Sequence, residues 1–181
     1  MKNTLTLILA GAAISLAFPA MAATNTAKVA YAASNDQAAS DYKAARAQCD
    51  GITGNPKDIC IAQAKAARIQ VEARATAQFK GTVEARTDAR KQIAEANYDV
   101  DAAKCASQNG NAKDVCIKES KAILVAAKVD ATADKKVANA RSDASDDKQT
   151  ADYKVALEKC DALAGNGKDA CVATAKAQYG K

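Results

Sequence analysis

Residues 41–68 read DYKAARAQCDGITGNPKDICIAQAKAAR, and the order of residue types in this stretch decides the fold. Gly54 stands where a helix ends in a left-handed residue, a conformation glycine adopts without a Cβ penalty. Asn55 follows as an expected N-cap, its side chain accepting from an orphan amide of the next helix. Pro56 then falls on the first helical residue, where a missing N–H costs nothing. Asp58 occupies the capping-box position at the positive end of the helix dipole. Helix, turn, helix is the reading of every one of these residues.

The stretch recurs twice without gaps, as residues 97–124 (NYDVDAAKCASQNGNAKDVCIKESKAIL) and 152–179 (DYKVALEKCDALAGNGKDACVATAKAQY). The first and third copies are identical at 15 of 28 positions. Gly110 and Gly165 repeat Gly54, Asn111 and Asn166 repeat Asn55, and Asp114 and Asp169 repeat Asp58. Tyr42, Tyr98 and Tyr153 each precede the first cysteine of their unit by seven residues, a spacing at which an aromatic packs across the hairpin. Such self-similarity at a fixed period marks a repeat architecture.

Six cysteines allow 15 pairings in principle. Here each unit holds one cysteine five residues before the glycine and one five residues after the asparagine. On antiparallel helices these two sit at the same height beside the corner, which selects Cys49–Cys60, Cys105–Cys116 and Cys160–Cys171. Each bridge closes a loop worth roughly 3 kcal/mol in the chain-entropy account. Free dithiols binding a soft metal or cycling redox equivalents are the competing reading. The spacing is not C-x-x-C, however, and the chain has no histidine to complete a zinc site.

Outward from the corners the chain is built for long helices. Between Pro56 and Gln108 there is no further proline and one glycine, Gly81, and from Ala112 to Ala164 there is neither. If continuous, the two long helices run antiparallel from the middle corner as a stalk, and the first and third corners gather at the opposite end in a small four-helix cluster. Gly81 and the stretch SDASDD at 142–147 are the expected bends, and breaking at both gives three stacked hairpins. Ser34-Asn35-Asp36-Gln37 reads as a capping box opening the first short helix, with 23–33 as a disordered lead-in. The fold class is all-α: elongated antiparallel hairpins, a coiled-coil-like bundle with three Cys-stapled corners, as one domain over 34–181.

Composition explains why staples are needed. Of the 181 residues 47 are alanine, and beyond position 22 only 21 are Val, Ile, Leu, Met or Phe. That is well below the roughly 20% of such residues in ordinary folding domains. Residues 1–22 resemble a cleavable export signal: Lys2, an apolar run from Leu5 to Phe18, Pro19, then Ala20-Met21-Ala22 with cleavage expected after Ala22. The run is shorter than the roughly 20 residues that span a bilayer, and no later segment could span one. A periplasmic or secreted destination follows, and it favours disulfides.

The same inventory argues against catalysis and against bound cofactors or metals. Ser–His and Cys–His pairs are impossible without histidine, and no phosphate-binding glycine loop occurs. Asp143, Asp146 and Asp147 lack the order of a calcium loop. Positive and negative residues alternate along the helices instead of segregating, which speaks against specific nucleic-acid recognition. Contact with anionic envelope components is left open by the small positive charge of +5. Protein partners or self-association are expected.

Runs such as Ala62-Gln63-Ala64-Lys65-Ala66-Ala67-Arg68 and Ala173-Thr174-Ala175-Lys176-Ala177 give the chain its family likeness. It resembles the alanine- and lysine-rich TolA-like cell-envelope proteins of Gram-negative bacteria, over most of the chain beyond the leader. The resemblance is compositional and implies an exported envelope protein; a weaker likeness is to hydrophilic desiccation-protection helices. Three functions fit in descending order. They are a stapled rod that spaces, tethers or assembles, a holdase-like stress chaperone, and a thiol-based redox or soft-metal binder.

Overall fold

The computed structural model describes residues 20–181, with side chains from position 25 onward. The leader expected over 1–22 lies outside the described residues as far as position 19. Five α-helices form: α1 (Ala20–Gln48), α2 (Asn55–Lys80), α3 (Val83–Cys105), α4 (Gly110–Cys160) and α5 (Gly165–Tyr179). A short 3₁₀ turn, Cys49–Gly51, follows α1. No strand occurs among the described residues. None of the described helices is long and apolar enough to cross a membrane.

Consecutive helices fold back on one another, and among the described residues no others touch: α1 on α2, α2 on α3, α3 on α4, and α5 on the far part of α4. The all-α hairpin architecture is therefore as the repeat requires, but the arrangement of the hairpins corrects the expectation. Gly81 does break the chain, with φ 64° and its N–H bonded back to Ala77 O. Thr82 then caps α3, its hydroxyl accepting from Ala85 N at 3.1 Å. The SDASDD stretch does not break, and α4 runs unbroken for 51 residues, about 75 Å at 1.5 Å per residue. With one break instead of none or two, neither the stalk nor the three stacked hairpins forms. The first and second corners lie together, where Asn55 Nδ2 donates to Ala103 O at 2.8 Å. The third corner lies alone at the far end of α4.

Residues 23–33, expected as a disordered lead-in, belong to α1. Ser34 opens no helix; it sits mid-helix, its hydroxyl donating to Ala30 O at 2.9 Å. The added turns are held from outside: Tyr31 stacks on Phe79 of α2, ring centroids 4.9 Å apart. Contact with α2, on top of good intrinsic propensity, orders what sequence pattern alone left open.

The core is made of methyl groups and sulfur. The largest fully buried side chains are Cys49, Cys105 and Cys160, and most other buried residues are alanines. Along α2 and α3 these fall at heptad-like spacing. Ala66 meets Ala96 and Val100, and a turn or two further Ala73 and Ala77 meet Ala89, with Ile93 alongside. Small side chains let the two backbones come close, which substitutes contact along the seam for bulk inside it. Salt links flank the next seam: Lys128 pairs with Glu95 at 2.5 Å, and Arg90 with Asp134 and Lys135 with Glu84 follow in antiparallel order.

Between the reach of α3 and that of α5, α4 has no neighbour. Every side chain from 139 to 149 is exposed. The α3-facing line of α4, through Ser120 and Ala131, passes here over Ser142, Ser145 and Gln149, which have no apolar surface to bury. A helix that is polar on its inward line bridges through solvent.

Candidate functional site

The three corners are the features built with most care. Disulfides join Cys49 to Cys60, Cys105 to Cys116 and Cys160 to Cys171, with Cα–Cα separations of 5.8, 5.6 and 5.6 Å. No free cysteine remains among the described residues.

α3 and α4 end at the first cysteine of their corners and α1 one residue before it, and in each corner the residue three further on donates its N–H to that cysteine's carbonyl. Ile52 does so to Cys49 (3.1 Å), Gln108 to Cys105 (3.0 Å) and Leu163 to Cys160 (3.0 Å). These tight bonds take up carbonyls the helix leaves orphaned. The glycines therefore act on the other side of the corner from that expected. Gly54, Gly110 and Gly165 have φ of 65°, 56° and 55°, but Gly54 precedes α2 and the other two open α4 and α5.

The capping roles expected of the asparagines and aspartates are likewise corrected. The residues at the N-cap positions are Gly54, Asn109 and Ala164, and none makes a side-chain cap hydrogen bond. Asn55, Asn111 and Asn166 are inside their helices, and the Asn55 amide is turned to Ala103 of α3. Asp58 sits in the first turn of α2, whereas Asp114 and Asp169 lie beyond the first turns of α4 and α5.

Two further interactions follow the repeat. In the first and third units the tyrosine lies against the last residue of its own unit. Arg68 stands over the Tyr42 ring at 5.5 Å, and Tyr153 meets Tyr179 at 5.9 Å. Tyr98 and Leu124 line one groove together. Lys168 pairs with Asp161 at 2.8 Å, and Lys57 approaches Asp50 at 4.0 Å in the equivalent position. The hydrogen bond that Lys168 donates to Asp161, then the charge of that carboxylate, raises the Lys168 pKa above the ordinary lysine value. In the middle corner Ala106 stands in place of that aspartate.

A slender bundle of alanine-rich helices offers little room for a cavity, yet one open groove of about 660 Å³ lies along α3 and α4 with the end of α2 at its edge. Ile93, Tyr98, Ile123 and Leu124 line it, and Arg74 and Arg86 stand at one end. The pattern of Ile123 and Leu124, adjacent bulky residues in an alanine-rich helix, is the signal that marks it in the sequence.

On the α1–α2 side, hydrogen bonds from Thr76 and then Asn35 lower the Tyr31 pKa. Among the described residues no group of three or more acidic, cysteine or histidine side chains is placed to hold a metal ion. No protein-family model matches the chain, and neither a curated protein nor a solved structure does.

Proposed function

We propose that this chain is an exported structural or interaction protein of the bacterial cell envelope, a disulfide-stapled helical rod without catalytic activity. The observation that carries the reading is that the three most deeply buried large side chains are bridging cysteines. A fold whose bulk inside is supplied by disulfides depends on an oxidising compartment. Helices long enough to separate one corner from the other two by about 75 Å suit spacing or tethering. The TolA-like composition supports an envelope setting, and the export signal expected at residues 1–22 supports the route.

The test is an intact mass, without reductant, of protein taken from its native compartment, followed by peptide mapping of the bridges. The expected result is residues 23–181 less six hydrogens, with three local bridges. Free thiols, a mixed disulfide or bound metal would overturn the scaffold role and bring thiol chemistry forward.

A holdase-like chaperone is the second reading, favoured by exposed aliphatic side chains on α4 such as Ile123 (65% exposed) and Val129 (59%). Suppression of aggregation of a model client at stoichiometric ratio supports it, and failure to suppress removes it.

A further inference from the structure

The groove along α3 and α4 departs from the repeat that builds the rest of the chain. Ile123 and Leu124 close the middle unit, where the first unit ends in Ala67-Arg68 and the third in Gln178-Tyr179. The middle unit alone thus sets two large aliphatic side chains at this place, in a protein whose buried residues are mostly alanine and cysteine. Tyr98, whose counterparts meet Arg68 and Tyr179, lines the groove with them and is half-buried.

The floor of the groove is α3 from Arg86 to Asp101, 15 residues or about 22 Å of helix. α4 forms one wall and the end of α2 the other, and α2 and α4 do not touch each other among the described residues. The volume of about 660 Å³ lies within the roughly 300–1,000 Å³ of small-molecule sites. A helix over the same length fills about 1,700 Å³, taken as a cylinder about 10 Å across. The space suits one extended chain and not a fourth helix.

Charge distinguishes the two ends. Toward Gly81, Arg74 of α2 and Arg86 of α3 line the groove, both exposed. Arg74 has no hydrogen bond or ion pair among the described residues, and Arg86 donates to Gly81 O at 2.9 Å without a carboxylate partner. Arg90, next to them, is already held by Asp134. Asp130 on the α4 wall is the one lining carboxylate without an ion pair, so two guanidinium groups exceed it by one positive charge. At the opposite end Asp101 is held by Lys104 at 2.9 Å, and Ser120 donates to Cys116 O at 2.9 Å.

From these observations we infer that the groove binds the anion of a long-chain fatty acid. Its carboxylate sits against Arg74 and Arg86, whose planar donor forks match it. Its chain lies on Ile93, Ile123 and Leu124, directed toward Ser120. A cationic end joined to an aliphatic wall calls for both parts of such a molecule, and neither part alone selects it. This binding activity stands beside the scaffold role and does not depend on it.

Titration calorimetry of the oxidised full chain with dodecanoate, below its micellar concentration, tests this. The expected result is one site per chain, weakened by on the order of tenfold or more when octanoate, four methylenes shorter, takes its place. Dodecyltrimethylammonium, with the same chain and the opposite charge, is expected to bind at least about tenfold more weakly. Arg74→Gln together with Arg86→Gln lowers the dodecanoate affinity about tenfold, a few-fold for each exposed pair. Ile123→Ser lowers it several-fold, whereas Val137→Ser, exposed outside the groove, leaves it unchanged. Ile123 is 65% exposed, and unchanged helicity by circular dichroism verifies that each variant folds.

Absence of single-site binding, equal affinity for the cationic amphiphile, or an affinity indifferent to the arginine and Ile123 variants overturns the inference. So does binding confined to anionic phospholipid vesicles, or to an acidic amphipathic peptide, with dodecanoate excluded. Each of these outcomes leaves the three bridges, and with them the scaffold reading, untouched.

Discussion

Removing the third staple is expected to release α5 and leave the rest of the molecule in place. Among the described residues α5 touches only α4, and Ala175 is its one buried side chain. Its other ties are the Tyr153–Tyr179 ring contact and the exposed Lys168–Asp161 pair. Burying one alanine and pairing two rings contributes about 1–2 kcal/mol, whereas ordering each residue of a helix costs roughly 1 kcal/mol or more. A helix of 15 residues is marginal by itself. The bridge, joining residues 11 apart, supplies about 3 kcal/mol by limiting the open state.

Replacing Cys160 and Cys171 together by alanine therefore shifts the opening of α5 by about two decades, at 1.36 kcal/mol per decade. Native-state hydrogen exchange of the oxidised protein reads this directly. Amides of α5 are expected to exchange roughly 100-fold faster in the double variant, with those of α2 and α3 unchanged. Unaltered protection in α5 would refute the reasoning, since packing would then suffice without the staple. Equal loss across α2 and α3 would refute it as well, because the chain would be unfolding as one unit.

Four other outcomes are expected. Ala89→Leu, at a seam position 5% exposed against Ala73 and Ala77, forces α2 and α3 apart and lowers stability by about 1–3 kcal/mol; the exposed control Ala170→Leu changes the urea midpoint little, and a stabilised Ala89→Leu variant would show the seam to be loose. Gly81→Ala meets no neighbouring atom but must hold φ near 64°, so thermal denaturation should register a loss of about 1–2 kcal/mol. The hydrogen bond from Lys135, then its charge, lowers the Glu84 pKa below its ordinary 4.5. Its contribution is thus present above that value and lost as pH falls through the lowered one, and Glu84→Gln should flatten the acid limb of a Tm-against-pH curve. Brief trypsin treatment should cut first after Arg141 or Lys148, in the helix segment without neighbours; first cuts within α2 or α3 would count against its being the weakest span.

Much of this protein is local, and what is local is written in its sequence. The corners and their bridges could be read because the two cysteines of each unit, 11 residues apart across one turn, meet through the turn's own geometry. The break at Gly81 has a local cause too, a residue able to hold positive φ followed by Thr82 as a cap.

The details of capping were harder to read. Asn55, Asn111 and Asn166 have the right chemistry for caps, yet α2 begins one residue earlier than that role requires and α4 and α5 two residues earlier, which places them inside their helices. Tertiary structure decided which alanines became core. With 47 alanines nearly every helix face offers a possible seam, and side chains of one methyl carry too little contrast in burial energy to choose among them.

The choice came from pairing. Once Gly81 turns the chain, Ala73 and Ala77 meet Ala89, and the first two corners are drawn to one end. Residues 142–147 looked like a bend because Ser and Asp favour caps and turns. They stay helical because the segment contains no glycine or proline to stop propagation from the packed helix on either side.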